Sequence, residues 1–463
     1  SAEVRPFVAV SYLEGLANYL GGAAQVYYQR GLPSLDDMAQ ATNFTTEANG
    51  GQVGLKAEYF NNATLAGALV LTRTDKHVNY DPDHEGDMVA REVSVRWKGY
   101  FTPKTGGDYL VLVQGPGENG GYRLYVDQKP VFENWNAWYA FVGQTRMRLE
   151  PGSHQIELEY FVHRGWGKTR VRLGIISAEA VVEAEAKSLA SRADAVVVAV
   201  GFDQASEGES ADRTFTLPPG QDELISQMAA ANRKTIVLNT SGGGLDMSTW
   251  IDRVPAVLQS WYPGQEGGTA LAQLLFGEYN PSGRLPISVE RRWEDNAAHD
   301  SYYPKGGGKK VAYTEGVFVG YRHYDKTGIK PMFPFGYGLS YTTFAYKNIV
   351  VSPASVSGDT PVAISFDVTN TGTRAGAEVA QVYVGDHHSH VPRPVKELKG
   401  FRKVYLNPGE TQQVTVTLDP RAFSYYDDKT HRWTTEPGEF DVLVGRSAAQ
   451  MELSGKLTLQ GPR

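Results

Sequence analysis

The sequence predicts a multi-domain protein that combines α/β and all-β architecture, and three patterns point there. The first is Ala193-Asp-Ala-Val-Val-Val-Ala-Val-Gly-Phe-Asp203, whose apolar run Ala195 to Val200 reads as a buried parallel strand. A carboxylate-rich loop follows it, and then Gln221 to Ala231 reads as a helix. The second pattern runs from Gly51 to about Ile176, where residues alternate, aromatics are frequent and turns recur, as in an antiparallel β-sandwich. The third lies beyond Tyr341, where short alternating strands return at sandwich spacing.

Composition agrees and narrows the classes. A length of 463 residues is enough for about three domains, each burying its own core. The net charge of −7 and a pI near 5.9 argue against nucleic acid or anionic membrane surfaces as partners. No stretch approaches the ~20 apolar residues that span a bilayer. The chain has no cysteine, which removes disulfides, thiol catalysis and Cys-ligated zinc together.

Taken in order, Tyr12-Leu-Glu-Gly-Leu-Ala-Asn-Tyr-Leu20 predicts a helix ended by Gly21-Gly22, since glycine takes the left-handed cap conformation. Ala24-Gln-Val-Tyr-Tyr28 suits a strand. Gly54–Asn61, Val93–Phe101, Gly107–Val113, Tyr122–Asp127 and His154–Phe161 are the strand candidates of the alternating stretch. Within it Glu133-Asn-Trp-Asn-Ala-Trp-Tyr-Ala-Phe141 concentrates aromatics, of which Trp138 and Trp135 are the candidates for stacking on a sugar face or an apolar aglycone. The competing reading makes them core. Thr235-Ile-Val-Leu-Asn-Thr-Ser-Gly-Gly243 reads as a strand with a small-residue turn. The last strands are expected at Pro361–Asn370, Ala377–Val384, Lys396–Phe401, Thr411–Leu418 and Gly438–Gly445, with no exposed aromatic cluster among them. Asp386-His-His-Ser-His390 reads as a loop rather than a metal tract, because adjacent histidines rarely converge on one ion without ligands from elsewhere.

The loop after Val200 carries the chemistry. Open α/β sheets bind ligands at the carboxyl ends of their strands, and here that position holds Glu207 and Glu209 among small neighbours. The run Glu207-Gly-Glu-Ser-Ala-Asp-Arg213, then Leu217-Pro218 and Gln221-Asp-Glu-Leu-Ile225, resembles the acid/base loop of glycoside hydrolase family 3, the β-glucosidase and β-xylosidase family. Further ordered matches are Trp261-Tyr-Pro-Gly-Gln-Glu-Gly-Gly-Thr-Ala270, Leu274–Pro286, Tyr313–Asp325 and Phe333-Pro-Phe-Gly-Tyr-Gly-Leu-Ser-Tyr341.

The resemblance implies the following organisation. An α/β sandwich domain, the family's second, occupies 1–50 and 177–340. A PA14 domain is inserted at 51–176, and a fibronectin type III-like domain follows at 341–463. In such enzymes the PA14 insert leans over the active-site mouth. PA14 domains that bind sugar through calcium use paired aspartates, and the insert contains no Asp-Asp dipeptide, so no metal is expected. No cofactor is expected either.

The implied reaction is retaining hydrolysis of a terminal non-reducing β-D-glucosyl residue, with two carboxyl groups about 5–5.5 Å apart across the bond. The resemblance puts the acid/base at Glu209, three residues before Asp212-Arg213, where the family has Glu-Gly-x-Asp-Arg. Ser210 replaces that glycine, and Glu207 remains the alternative. Asp212 and Arg213 are expected to brace the loop as an ion pair. The family's nucleophile is an aspartate in a Ser-Asp-Trp or Ser-Asp-Tyr motif of an N-terminal (β/α)8 barrel, which needs about 250 residues. Neither tripeptide occurs here. The chain is therefore expected to be the C-terminal portion of a longer enzyme, its partners the barrel and a small β-glucoside. The reading from another class is a non-catalytic carbohydrate-binding or scaffold chain acting through PA14.

Overall fold

The computed structural model describes residues 6–84, 90–117, 119–135, 140–165, 168–203, 206–207, 213–303, 310–357 and 360–461. The chain divides into two compact units, one of Ser1–Arg5, Gln25–Ser241 and Thr249–Tyr262, the other of Pro6–Ala24, Gly242–Ser248 and Pro263–Arg463.

The second unit opens with helix α1 (Tyr12–Leu20), which Ser11 caps at its start and Gly21 ends in the left-handed conformation at φ 52°. From Gln25 the chain belongs to the first unit. Ala24–Tyr28, expected as a strand, forms no regular element, and Tyr27 and Tyr28 are each 67% exposed. Apolar residues alone do not make a strand; a neighbour must complete the ladder, and among the described residues no strand pairs with this segment. Helix α2 (Leu35–Ala41) is closed by a capping box between Ser34 and Asp37.

A two-sheet β-sandwich then fills most of the first unit. One sheet contains β1 (Phe44–Glu47), β2 (Gly50–Val53), β3 (Leu55–Phe60), β4 (Leu71–Asp75), β6 (Glu92–Phe101), β8 (Gly120–Val126), β9 (Lys129–Asn134) and β11 (His154–His163). The other is ordered β10-β7-β12-β5, from β5 (Asn79–Tyr80), β7 (Gly107–Gly117), β10 (Ala140–Leu149) and β12 (Val171–Ser177). The period-2 alternation turns Tyr59, Trp97, Tyr122 and Tyr160 of the first sheet onto Tyr80, Val111, Val113 and Leu173 of the second. Two of the polar tips share one carboxylate: Trp97 Nε1 donates to Asp75 at 2.7 Å, and the Tyr59 hydroxyl reaches it at 2.5 Å. β1 starts upstream of residue 51, so the strand pattern opens at Phe44.

After the sandwich come α3 (Ala184–Arg192), β13 (Val196–Gly201), α4 (Gln221–Ala231), β14 (Thr235–Thr240) and β15 (Ala256–Gln259). The three strands form one parallel sheet in that order. β13 is parallel as expected but only half-buried: Val198 and Val200 turn inward, while Ala199 is exposed. It is an edge strand, with α4 against it and α3 packed on α4.

In the second unit α1 packs on α5 (Gly267–Leu275) at backbone distance. A Cβ on Gly268 would stand 2.1 Å from the Ser11 carbonyl oxygen, so only glycine fits. Helix α6 (Tyr321–Thr327) follows. A second sandwich of strands between Phe344 and Leu459 buries Phe366, Val382, Phe423 and Phe440. It is tied to α6 by Lys396 Nζ on Asp325 at 2.6 Å. Contrary to expectation it does present exposed aromatics, Tyr426 and Trp433, paired across a hairpin with ring centroids 5.6 Å apart. His387 and His390 go to different carboxylates, Asp441 at 2.8 Å and Glu436 at 2.9 Å. Among the described residues no helix is long and apolar enough to cross a membrane.

Candidate active site

Gly201 stands beside Thr240, and Gln259 beside Asn239, where the three parallel strands end, the edge at which α/β sheets place ligands. Gly201 has φ 143°, and a Cβ there would meet the Thr240 carbonyl oxygen at 2.0 Å, so the chain leaves β13 in a path no other residue could follow. The loop is closed at its base by one side chain. Gln221, at the start of α4, accepts from the Gly201 amide at 2.7 Å and donates to the Gly201 carbonyl at 3.1 Å. Trp250, buried, donates to Asp222 at 2.8 Å and fixes the same helix turn from the other side.

The described part of the loop begins with a turn in which the amides of Ser206 and Glu207 donate to the Asp203 carbonyl at 3.0 and 2.8 Å. The Ser206 hydroxyl donates to the Asp203 carboxylate at 2.8 Å. That turn lifts Glu207 toward Arg213, whose Nε lies 3.2 Å from Glu207 Oε1. The guanidinium also covers the Phe202 ring at 4.7 Å, which holds it in place. The other oxygen, Oε2, accepts from the Tyr262 hydroxyl beyond β15. Both carboxylate oxygens of Glu207 are thus engaged, and its side chain is only 21% exposed. Arg213 thus braces the loop through Glu207; its expected pairing with Asp212 falls on a residue outside the described ones.

Glu209, Asp212 and Trp138 lie outside the described residues. Trp135 lies within them, at the end of β9. Its ring packs on Phe161 at 4.7 Å and under the Arg123 guanidinium at 4.3 Å, on the outer face of the eight-stranded sheet. It is partly exposed, and these ring contacts belong to the sandwich.

Three residues that motif reading left without a role stand out here. Tyr262 is one, and its neighbour Trp261 is the second, with φ 53°. A bulky side chain in the left-handed region is strained, and such strain concentrates at functional edges. The third is Asn239, buried at the end of β14. Its amide donates to Ser241 at 3.0 Å and Gln259 at 2.5 Å, while its Oδ1 meets no hydrogen-bond partner among the described residues. Among the described residues no group of three or more histidines and carboxylates converges as metal ligands would.

Comparison with known proteins agrees with this geometry. Residues 1–341 match the glycosyl hydrolase family 3 C-terminal domain, and residues 378–448 match a fibronectin type III-like domain. The chain is 33% identical to Beta-glucosidase B of Emericella nidulans over 99% of its own length and 57% of that protein's. It is 45% identical to Thermostable beta-glucosidase B of Acetivibrio thermocellus over 58% of this chain and 35% of that protein. Among solved structures, DesR, a beta-glucosidase from Streptomyces venezuelae in complex with D-glucose, superposes with a TM-score of 0.65 at 30% identity. That match covers 99% of this chain and 54% of DesR. The chain thus spans little more than half the length of relatives that it matches almost end to end. A strand-end loop built on glycine and glutamate, and sequence kinship along its whole length, lead to one assignment: the chain belongs to glycosyl hydrolase family 3.

Proposed function

We propose that this chain supplies the acid/base half of a retaining β-glucosidase active site, with Glu209 as the proton donor. The observation that carries the reading is the commitment of Glu207. A carboxylate held on one oxygen by Arg213 and on the other by Tyr262 is placed to brace the loop, not to meet a leaving oxygen. The carboxylate two residues on is then the one available for that task. Glu209 protonates the departing oxygen in the first step and activates water in the second. The nucleophile comes from a (β/α)8 barrel outside these residues, whose approach also keeps the Glu209 carboxyl protonated.

The substrate class rests on the relatives, which are named beta-glucosidases, and on the D-glucose in DesR. In this reading residues 1–50 and 177–340 form the α/β domain. The sandwich between them is a PA14 insert walling the aglycone side, with Trp138 and Trp135 as its contact residues. The final domain, 341–463, is structural support.

The test is kinetic. Glu209→Ala in the full-length enzyme loses about 10²- to 10⁴-fold in kcat/KM on alkyl β-glucosides and far less on dinitrophenyl β-glucoside, whose departure needs no proton. If Glu207→Ala behaves that way instead, the assignment is wrong.

A further inference from the structure

Strand β10 of the sandwich sends two neighbouring side chains into the α/β portion of the same unit. Gln144 Nε2 donates to the Leu217 carbonyl and lies 3.3 Å from the Thr216 hydroxyl. Arg146, two residues along and on the same side of the strand, pairs with Glu223 in the first turn of α4. Glu223 is buried at 7% exposure and Leu217 is fully buried, so both receiving groups are fixed in the packed interior. Intervening residues point the other way, as strand alternation requires, with Met147 against the sandwich core.

From Thr216 the contacts continue without a gap to the carboxylate loop. The Thr214 hydroxyl donates to the Thr216 carbonyl at 2.7 Å, and Arg213 donates to the Thr214 carbonyl at 3.1 Å. Arg213 then holds Glu207, and Tyr262 holds it from the far side. We infer that Gln144 is a positioning residue for proton transfer: the sandwich fixes the descending arm of the acid/base loop through Gln144, and the Arg213–Glu207 pair carries that constraint to within two residues of Glu209. The sandwich would then tune the chemical step itself, in addition to any contact it makes with an aglycone. The inference rests on the Glu209 reading, so its test must separate the two.

The experiment compares Gln144→Leu, which loses the donor, with Gln144→Lys, which keeps one, in the full-length enzyme. Glu209→Ala is the control. The expected result for Gln144→Leu is a loss in kcat/KM of about tenfold on an alkyl β-glucoside, carried by kcat with KM nearly unchanged, against less than about twofold in kcat/KM on dinitrophenyl β-glucoside. Gln144→Lys recovers most of the loss, and the melting temperatures of both variants show whether the fold is intact. An equal loss on every leaving group, a change confined to KM, or a silent Gln144→Leu overturns the inference while Glu209→Ala still shows the leaving-group signature. If Glu209→Ala lacks that signature, the Glu209 reading itself fails and takes the inference with it.

Discussion

Arg213 spans the loop after β13 to reach Glu207, Nε to Oε1 at 3.2 Å, while its guanidinium lies 4.7 Å over the ring of Phe202. One cation thereby ties the end of the loop to its beginning, and the pair is shielded enough to be geometric rather than incidental, with side chains 17% and 21% exposed. Removing the cation should loosen the loop without touching the sheet. Arg213→Ala is expected to lower kcat/KM about tenfold and to leave the unfolding free energy within about 1 kcal/mol of wild type. Arg213→Lys should recover little, because a point charge cannot both stack on Phe202 and meet the carboxylate in one plane. Steady-state kinetics with a denaturant titration checks both.

The sandwich carries a pH-dependent contribution to stability. His154 has both ring nitrogens on acceptors, Nδ1 at 2.7 Å from Asp127 and Nε2 at 2.8 Å from the Glu150 carbonyl. Burial alone would lower its pKa, but these hydrogen bonds outweigh it and hold the imidazolium above the usual 6.5. A raised folded pKa means stability that is fully present below about pH 6.5 and is lost as pH rises through the folded value. His154→Asn should therefore lower the melting temperature more at about pH 5.5 than at about pH 8.5. Calorimetry at the two pH values decides it.

The α1–α5 contact leaves no room for a methyl group. In Gly268→Ala the new Cβ would stand 2.1 Å from the Ser11 carbonyl oxygen, and Ser11 is the cap of α1. The expected cost is about 3 kcal/mol, read as a lower denaturant midpoint at unchanged slope.

Lys396 and Asp325 meet at 2.6 Å with side chains 9% and 18% exposed. Asp325→Ala leaves an ammonium group buried without its counter-charge, at a cost of about 3–5 kcal/mol. Adding Lys396→Met should return most of that stability, since the desolvated charge is then gone. A double-mutant cycle of unfolding free energies measures the coupling.

What could be read from the chain alone followed how local its cause was. Helix α4 spans Gln221–Ala231 as expected, because its signals are adjacent: Gly220 turns the chain at φ 81° and Asp222 and Glu223 fill the first turn. Helix α1 likewise lies between Ser11 and Gly21. The Glu207–Tyr262 bond joins residues 55 positions apart, and the Gln144–Leu217 bond joins residues 73 apart. No local pattern announces either, since the parallel sheet and the sandwich must form before those groups meet. The supposed strand Ala24–Tyr28 failed for the complementary reason: its composition suited a strand, but strandhood belongs to a pair, and among the described residues no strand pairs with it. Arg213 was legible as a brace for the loop, but its contact with Glu207 was not, because that contact depends on the turn closed by Asp203 and Ser206 bringing the carboxylate round.

The proton-donor assignment meets its sharpest test in a product structure. With the acid/base removed, azide can enter the space it vacates and attack the glycosyl-enzyme, so Glu209→Ala turning over dinitrophenyl β-glucoside in azide should accelerate and yield β-glucosyl azide by NMR. Glucose alone with no rate response, or β-glucosyl azide from Glu207→Ala instead, would contradict it.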